Sequence, residues 1–311
     1  MKPLCGYIME ARGVVTDEND WRTTVKVILD MLGKDPDAGS FFVPDPYLPP
    51  WLASLEIVVR KASTHFQGYA SYVPSHSTMK DDKLVAQVEI TVSMVNPRDM
   101  ESTLNHEIQH AFDDWIVRTR RDGTLDDFMT VATGYSEISM DDDPNICMVH
   151  TAYEPSKVTF NDIFVVFEYC TYWLNQTEVN AYSREWAMFV PEFIKEKGNT
   201  YDWYKEIKTG DLRGQQPLMY IDGLYQTLGN WDKFTGIEDE DWEYIMGGLN
   251  HHWAKQVLGH MVRGTGKDGV RKVMEEVIKK LVPNVIRRYM RIIKDNGLVV
   301  VDGPDFFEIK K

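Results

Sequence analysis

The sequence has few cysteines and no long apolar run. Its three cysteines, Cys5, Cys147 and Cys170, are widely spaced and form no CxxC pair, which argues against a disulfide framework. The longest uninterrupted run of aliphatic and aromatic residues covers only residues 163–167, far short of the ~18 that a membrane helix needs. The first residues contain no apolar stretch of signal-peptide length. We therefore expect a soluble, cytoplasmic protein with no membrane partner.

Basic residues are outnumbered by acidic ones in this chain. The 34 lysines and arginines face 48 aspartates and glutamates, which gives a net charge of −14. Affinity for nucleic acid comes mainly from clustered basic side chains that neutralise phosphates. This balance therefore argues against a nucleic-acid partner, and composition gives no indication of the oligomeric state.

The order of predicted elements indicates an α+β protein with a small sheet and a mostly helical C-terminal part. Residues 1–50 are predicted to form an N-terminal helix followed by a lead-in, where five prolines between positions 36 and 50 argue against regular structure. Strand patterns begin at Trp51, and residues 51–200 are predicted to form the core. Residues 201–311 are predicted to be a helical region packed on that core.

The clearest predicted elements are a strand at residues 84–94 and the helix that follows it. Apolar residues alternate with mostly polar ones along the strand, which predicts one buried face and one wet face. The pattern also allows a position at the sheet edge. Asn96 is a good N-cap, Pro97 suits the first helical position and Gly123 supplies the stop, so we predict a helix over 96–123.

This helix carries the sequence His106-Glu107-Ile108-Gln109-His110, an HExxH pattern. Two residues four apart differ by about 40° around a helix axis, so both imidazoles can reach one ion. Apolar residues cluster roughly opposite the histidines, which predicts that the histidine pair faces a cleft on the other side of the helix. Glu107 lies close enough to contact a water on the metal without being a ligand.

A catalytic zinc site needs a third protein ligand and leaves one position for water. A third histidine at the short spacing of the extended motif is absent from the sequence. We therefore expect a carboxylate from a later element, and Glu178, at the start of a predicted helix, is the main candidate. Glu168, on the preceding helical stretch, is the alternative.

Together, HEIQHAFD and the later glutamate helix resemble the gluzincin branch of the zincin metallopeptidases, especially its short minigluzincin-like members. The resemblance implies a zincin-like fold that binds Zn²⁺ through His106, His110 and Glu178. It also implies peptide-bond hydrolysis by a zinc-bound water, with Glu107 as the general base. This sequence lacks the NExxxxD form of the glutamate helix that thermolysin-like members of the family have. The residues that would hydrogen-bond to the metal ligands therefore cannot be assigned from the resemblance.

Two further roles follow from this resemblance. One more hydrogen-bond donor is expected to stabilise the oxyanion that forms when water attacks the peptide carbonyl. The candidates are Tyr182, Arg184, His150 and Tyr153. The sequence does not rank them firmly, and we take Tyr182 as the catalytic candidate. The strand at 84–94 is expected to be the sheet edge that pairs with a peptide or protein substrate.

Two other interpretations remain open at this stage. The chain could be a non-catalytic zincin-like scaffold, for example a virion or other assembly component that kept the fold. It could also be a metal-independent binding module with an accidental HExxH pattern.

Overall fold

A computed structural model of the chain describes residues 21–35, 39–61, 69–92, 97–121, 174–209, 214–250 and 260–303. The chain divides into two compact units, Met1–Val131 and Ala132–Lys311. The first contains a small sheet and the second is mostly helical, which confirms the α+β class. The three-part division at residues 50 and 200 stays a prediction. Within the described ranges, no helix is long and apolar enough to cross a membrane.

The first unit is built around a mixed sheet in which the last strand is central. Strand β5 pairs with β2 in parallel on one side and with β3 and β4 in antiparallel on the other, while β1 extends the sheet beyond β2. The strands are β1 (Ser40–Phe42), β2 (Leu52–Lys61), β3 (Tyr69–Tyr72), β4 (Thr78–Lys80) and β5 (Lys83–Val92).

The alternation predicted for the strand at residues 84–94 is confirmed in β5. Leu84, Ala86, Val88 and Ile90 are buried, and the residues between them are partly exposed. A period of two sends successive side chains to opposite faces of a sheet, so one face of β5 supplies part of the core.

The proline-rich stretch at 36–50 is more regular than predicted. It contains β1, which precedes Pro44, and a short 3-10 helix, Asp45–Tyr47, which follows Pro44 and includes Pro46. Because β1 is an edge strand that pairs only with β2 among the described strands, neighbouring prolines cost it no ladder hydrogen bond. The expectation of no regular structure was therefore wrong here.

Helix α2 (Pro97–Arg121) packs against β3, β5 and helix α1 (Arg22–Lys34). Pro97 is its first residue, as predicted. Its apolar side contacts an aromatic cluster, in which the ring of Phe112 lies 5.2 Å from that of Trp51 and 5.7 Å from that of Trp21. Aromatic rings at such distances bury large areas and fix the orientation of the elements that carry them.

The described part of the second unit contains helices around an aromatic-rich core, with a small parallel pair of strands. Trp186 and Tyr289 lie at its centre, with ring centroids 5.0 Å apart. The elements are α3 (Gln176–Lys197), β6 (Thr200–Asp202), α4 (Trp203–Thr209), α5 (Gln216–Gly229), the 3-10 helix Trp231–Lys233, α6 (Asp239–Gly248), α7 (Gly266–Asp295) and β7 (Val299–Val301).

Gly214 brings the backbone unusually close to helix α3. Its φ is +78°, and a methyl group there would lie 2.4 Å from both the amide nitrogen of Trp186 and the carbonyl oxygen of Tyr182. We expect Gly214→Ala to lower the free energy of unfolding by at least about 3 kcal/mol, from backbone strain and overpacking together. Thermal denaturation should show a drop in Tm of at least about 6 °C for a unit of this size.

Gly297 provides a matched control for this substitution. It also has a positive φ, +66°, but nothing lies within 4 Å of an added methyl group. Gly297→Ala should therefore show only the backbone cost, about 1 kcal/mol. Equal losses in the two variants would contradict the close approach at Gly214.

Candidate metal centre

The two histidines of the HExxH pattern face each other on consecutive turns of α2. Their Nε2 atoms lie 3.0 Å apart, and their ring centroids are 4.6 Å apart with the rings nearly perpendicular. The i, i+4 spacing places both side chains on one side of the helix. The sequence therefore predicted this convergence correctly.

The side of α2 that carries the histidines is less open than predicted. His106 is 8% exposed and His110 is half-buried. Asn105, Gln109 and Asp113 are buried as well, and the amide of Gln109 donates to Asp113 over 2.9 Å. The helix is thus buried on most of its circumference, and not only on the apolar side that the sequence indicated.

Glu107 lies beside the histidine pair and is bonded to the sheet. One ligand atom from each of His106, Glu107 and His110 lies within 4.8 Å of the others, and within the described ranges these residues form the one such group of His, Cys, Asp or Glu. The backbone amide of Tyr72, at the end of β3, donates a 2.6 Å hydrogen bond to Glu107 Oε2. Glu107 therefore connects α2 to the end of β3.

The donor set fits a zinc ion. Two ligands on one tetrahedral Zn²⁺ at the usual Zn–N length are about 3.3 Å apart, close to the observed 3.0 Å between the Nε2 atoms. Imidazole nitrogens are ligands that suit zinc, copper, iron and nickel. Metal binding requires both nitrogens to act as electron-pair donors, so neither Nε2 atom can carry a hydrogen in the loaded site.

The strand predicted to bind substrate is not at the edge of the sheet. β5 is paired with β2 on one side and with β3 and β4 on the other, so its backbone groups already form hydrogen bonds within the sheet. The expectation that residues 84–94 form a substrate-binding edge was therefore wrong. Alternation of apolar and polar residues indicates that one face of a strand is buried. Whether the strand lies at the edge of the sheet depends instead on which other strands pair with it. Within the described ranges, β3 pairs only with β5, and it is β3 that packs beside α2.

A buried polar network below the motif was not found from the sequence. The hydroxyl of Tyr72 donates to Asp114 Oδ2 over 2.5 Å, and Arg118 binds the same carboxylate with two bonds of 2.7 and 2.8 Å. Burial and the adjacent Asp114 raise the pKa of Tyr72 well above its usual value, so the phenol stays protonated. Burial tends to lower the pKa of Arg118, but its hydrogen bonds and attraction to Asp114 raise it overall.

Glu178 and Tyr182 lie on α3, in the second unit. Asn175 caps this helix with a side-chain oxygen that accepts the amide of Thr177, so Glu178 falls in the first turn as predicted. Glu178 is buried, at 5% exposure, and Tyr182 is half-buried. Their assignments as third ligand and oxyanion donor stay predictions.

The alternatives to these two residues are divided between described and undescribed parts of the chain. Arg184 is half-buried on α3. Glu168, His150 and Tyr153 lie outside the described residues.

No protein-family model, curated protein or solved structure matches this chain. The gluzincin resemblance therefore rests on the residues of the motif and of the later glutamate helix.

Proposed function

We propose that this protein is a zincin-like, zinc-dependent metallopeptidase. His106 and His110 would hold the ion, with Glu178 as the third ligand, and Glu107 would be the general base. The observation that carries the proposal is the convergence of two imidazole nitrogens, 3.0 Å apart, beside the Glu107 carboxylate on one helix. Partial burial of these groups also supports it, because charge–charge interactions are stronger away from bulk water.

The chemistry of the proposal is divided between the ion and the chain. A bound Zn²⁺ supplies Lewis acidity, lowering the pKa of a coordinated water and polarising a carbonyl group. Glu107 accepts a proton at its carboxylate and delivers it to the leaving amine. The amide of Tyr72 restricts the rotation of that carboxylate through its bond to Oε2. Tyr182 is the proposed donor to the oxyanion.

The outer edge of β3 is the proposed contact for the substrate backbone. The amide of Val73 donates into the sheet, to Gln87 over 3.0 Å. Amides alternate in direction along a strand, so the amides of Tyr72 and Ala70 point away from β5. An extended peptide could pair with this edge by strand addition, next to Glu107, which already accepts the amide of Tyr72.

Metal analysis tests the proposal before any substrate is known. Protein stripped with a chelator and dialysed against Zn²⁺ should retain about one ion per chain, as a single site requires. His110→Ala should weaken zinc binding by more than the roughly 10- to 100-fold that loss of an outer-shell partner costs. Competition with a chromophoric chelator measures this affinity. Equal zinc affinity in the wild type and in His110→Ala would overturn the site.

Two further variants provide a control for the zinc measurement and a test of the third ligand. His76 is an exposed histidine of the same unit, bonded to Gln87 over 2.7 Å, and His76→Ala should leave zinc binding unchanged. Glu178→Gln should weaken zinc binding if this residue is the third ligand, and unchanged affinity would remove it from the ligand set. Zinc binding without any Glu107-dependent hydrolysis would favour the non-catalytic scaffold.

A further inference from the structure

Three polar residues of α2 form a stripe that faces the end of β3. Glu107 and Asp114 are seven residues apart and Asp114 and Arg118 are four apart, so their directions around the axis differ by only about 20° and 40°. The stripe spans about 16 Å of the helix axis, at a rise of about 1.5 Å per residue. Each of its three members makes a hydrogen bond to β3 or to the chain immediately after it.

Tyr72 contacts this stripe at two points. Its backbone amide donates to Glu107 Oε2 over 2.6 Å, and its hydroxyl donates to Asp114 Oδ2 over 2.5 Å. Tyr72 is 6% exposed and Asp114 is fully buried, so the phenol bond forms in a largely water-free environment. A slip of one strand residue, about 3.3 Å, would break both bonds together. The two contacts therefore fix the position of β3 along α2.

Arg118 holds the acceptor of the phenol in place. Its guanidinium forms two bonds to the Asp114 carboxylate, whose side chain is fully buried. It also donates to the carbonyl oxygens of Pro74 and Ser77, over 3.3 and 3.2 Å, in the segment that follows β3. Planar, bidentate Arg–carboxylate pairs restrict orientation as well as distance. The orientation of the Asp114 carboxylate is thus set by Arg118, independently of its hydrogen bond from the phenol.

We propose that Tyr72 is a positioning residue for Glu107: the Asp114–Arg118 pair fixes the phenol, and the phenol fixes the backbone amide that holds the carboxylate. This inference rests on the proposed function for its effect on catalysis, but the contact itself can be tested without it. Effective general bases must be held within a few tenths of an ångström of the productive geometry. A misplacement of about 1 Å can cost on the order of 100-fold in rate.

The experiment uses the full chain with Tyr72→Phe, which removes only the phenol oxygen and keeps the backbone amide. Hydrogen exchange, resolved to single amides, should become at least about tenfold faster at position 72, because a hydrogen bond to a charged group is worth that factor or more. The amide of Val73, which donates into the sheet to Gln87, should keep its protection. Glu107→Gln calibrates the measurement, because it removes the charge from the acceptor.

Two outcomes would overturn the proposal. Unchanged exchange at position 72 would show that the phenol does not control the amide. Equal acceleration at Val73 would show that the whole strand had loosened, which is a structural effect rather than positioning. If Tyr72→Phe does not fold, Asp114→Asn carries the same test, since it keeps the side-chain shape and weakens the acceptor.

Activity provides the second measurement, with fluorescein-labelled casein as the probe. Tyr72→Phe should lower kcat several-fold, within the ~100-fold bound for a displaced catalytic group, and leave KM and zinc affinity unchanged. Thr24→Val is the matched control, because it also removes one hydroxyl hydrogen bond of the same unit, from buried Thr24 to the carbonyl of Tyr47. It should lower Tm but change neither kcat nor exchange at position 72.

The activity and exchange results separate the two hypotheses. Accelerated exchange at position 72, in a protein that shows no Glu107-dependent hydrolysis, would support the positioning contact and contradict the peptidase. A wild-type-like kcat in Tyr72→Phe, in an active enzyme, would contradict the positioning role alone.

Discussion

Glu107→Gln should lower kcat/KM for hydrolysis of fluorescein-labelled casein by about 10²- to 10⁴-fold, the usual contribution of a general base. The substitution keeps the length of the side chain and one acceptor oxygen but removes its ability to accept the proton. Zinc binding should persist, because the two histidines remain 3.0 Å apart on the same helix turns. Steady-state kinetics together with metal analysis separates loss of the base from loss of the site.

The control for this variant is Glu101→Gln. Glu101 lies on the same helix, before the motif, and undergoes the same chemical change. It should retain wild-type activity. Full activity in Glu107→Gln would eliminate Glu107 as the base and with it the proposed mechanism.

Arg118→Ala should lower the free energy of unfolding of the first unit by about 3–5 kcal/mol, because it leaves a buried carboxylate without its cation. The side chain of Asp114 is 0% exposed and that of Arg118 is 10% exposed, so water cannot replace the lost partner readily. The carbonyls of Pro74 and Ser77 would lose their donor as well. Chemical denaturation, followed by tryptophan fluorescence, measures the loss.

The matched control is the surface pair of the same unit, Arg60 and Glu89, 2.7 Å apart. The side chain of Arg60 is 63% exposed, so Arg60→Ala should cost no more than about 1 kcal/mol. A loss in Arg118→Ala as small as that in Arg60→Ala would show that Asp114 does not depend on its buried partner.

The local parts of this structure could be predicted from the sequence. Three features depend only on residues that are close together in the sequence. They are the alternation in β5, the start of α2 at Pro97 and the convergence of His106 and His110. Backbone periodicity sets such contacts directly, since side chains recur every 2 residues in a strand and every 3.6 in a helix.

The contacts between distant segments could not be predicted in the same way. Tyr72 and Asp114 are 42 residues apart, and no periodic signal links a phenol on one element to a carboxylate on another. The edge position was misassigned for the same reason, because the pairing of β5 with three other strands is a property of the sheet. The burial of Asn105 and Gln109 was missed because polar residues normally indicate a solvent-facing side.

The central place of β5 also sets the order in which the first unit can be assembled. β2 ends at Lys61, but its parallel partner is complete only at Val92, so a growing chain must reach that residue before the sheet can close. Until then, β2 presents an unpaired edge whose Leu55 and Ile57 later become fully buried. Parallel pairing of separated segments is slow, and open apolar strands are prone to aggregation. The nascent protein therefore exposes these apolar strand residues between the synthesis of β2 and that of β5.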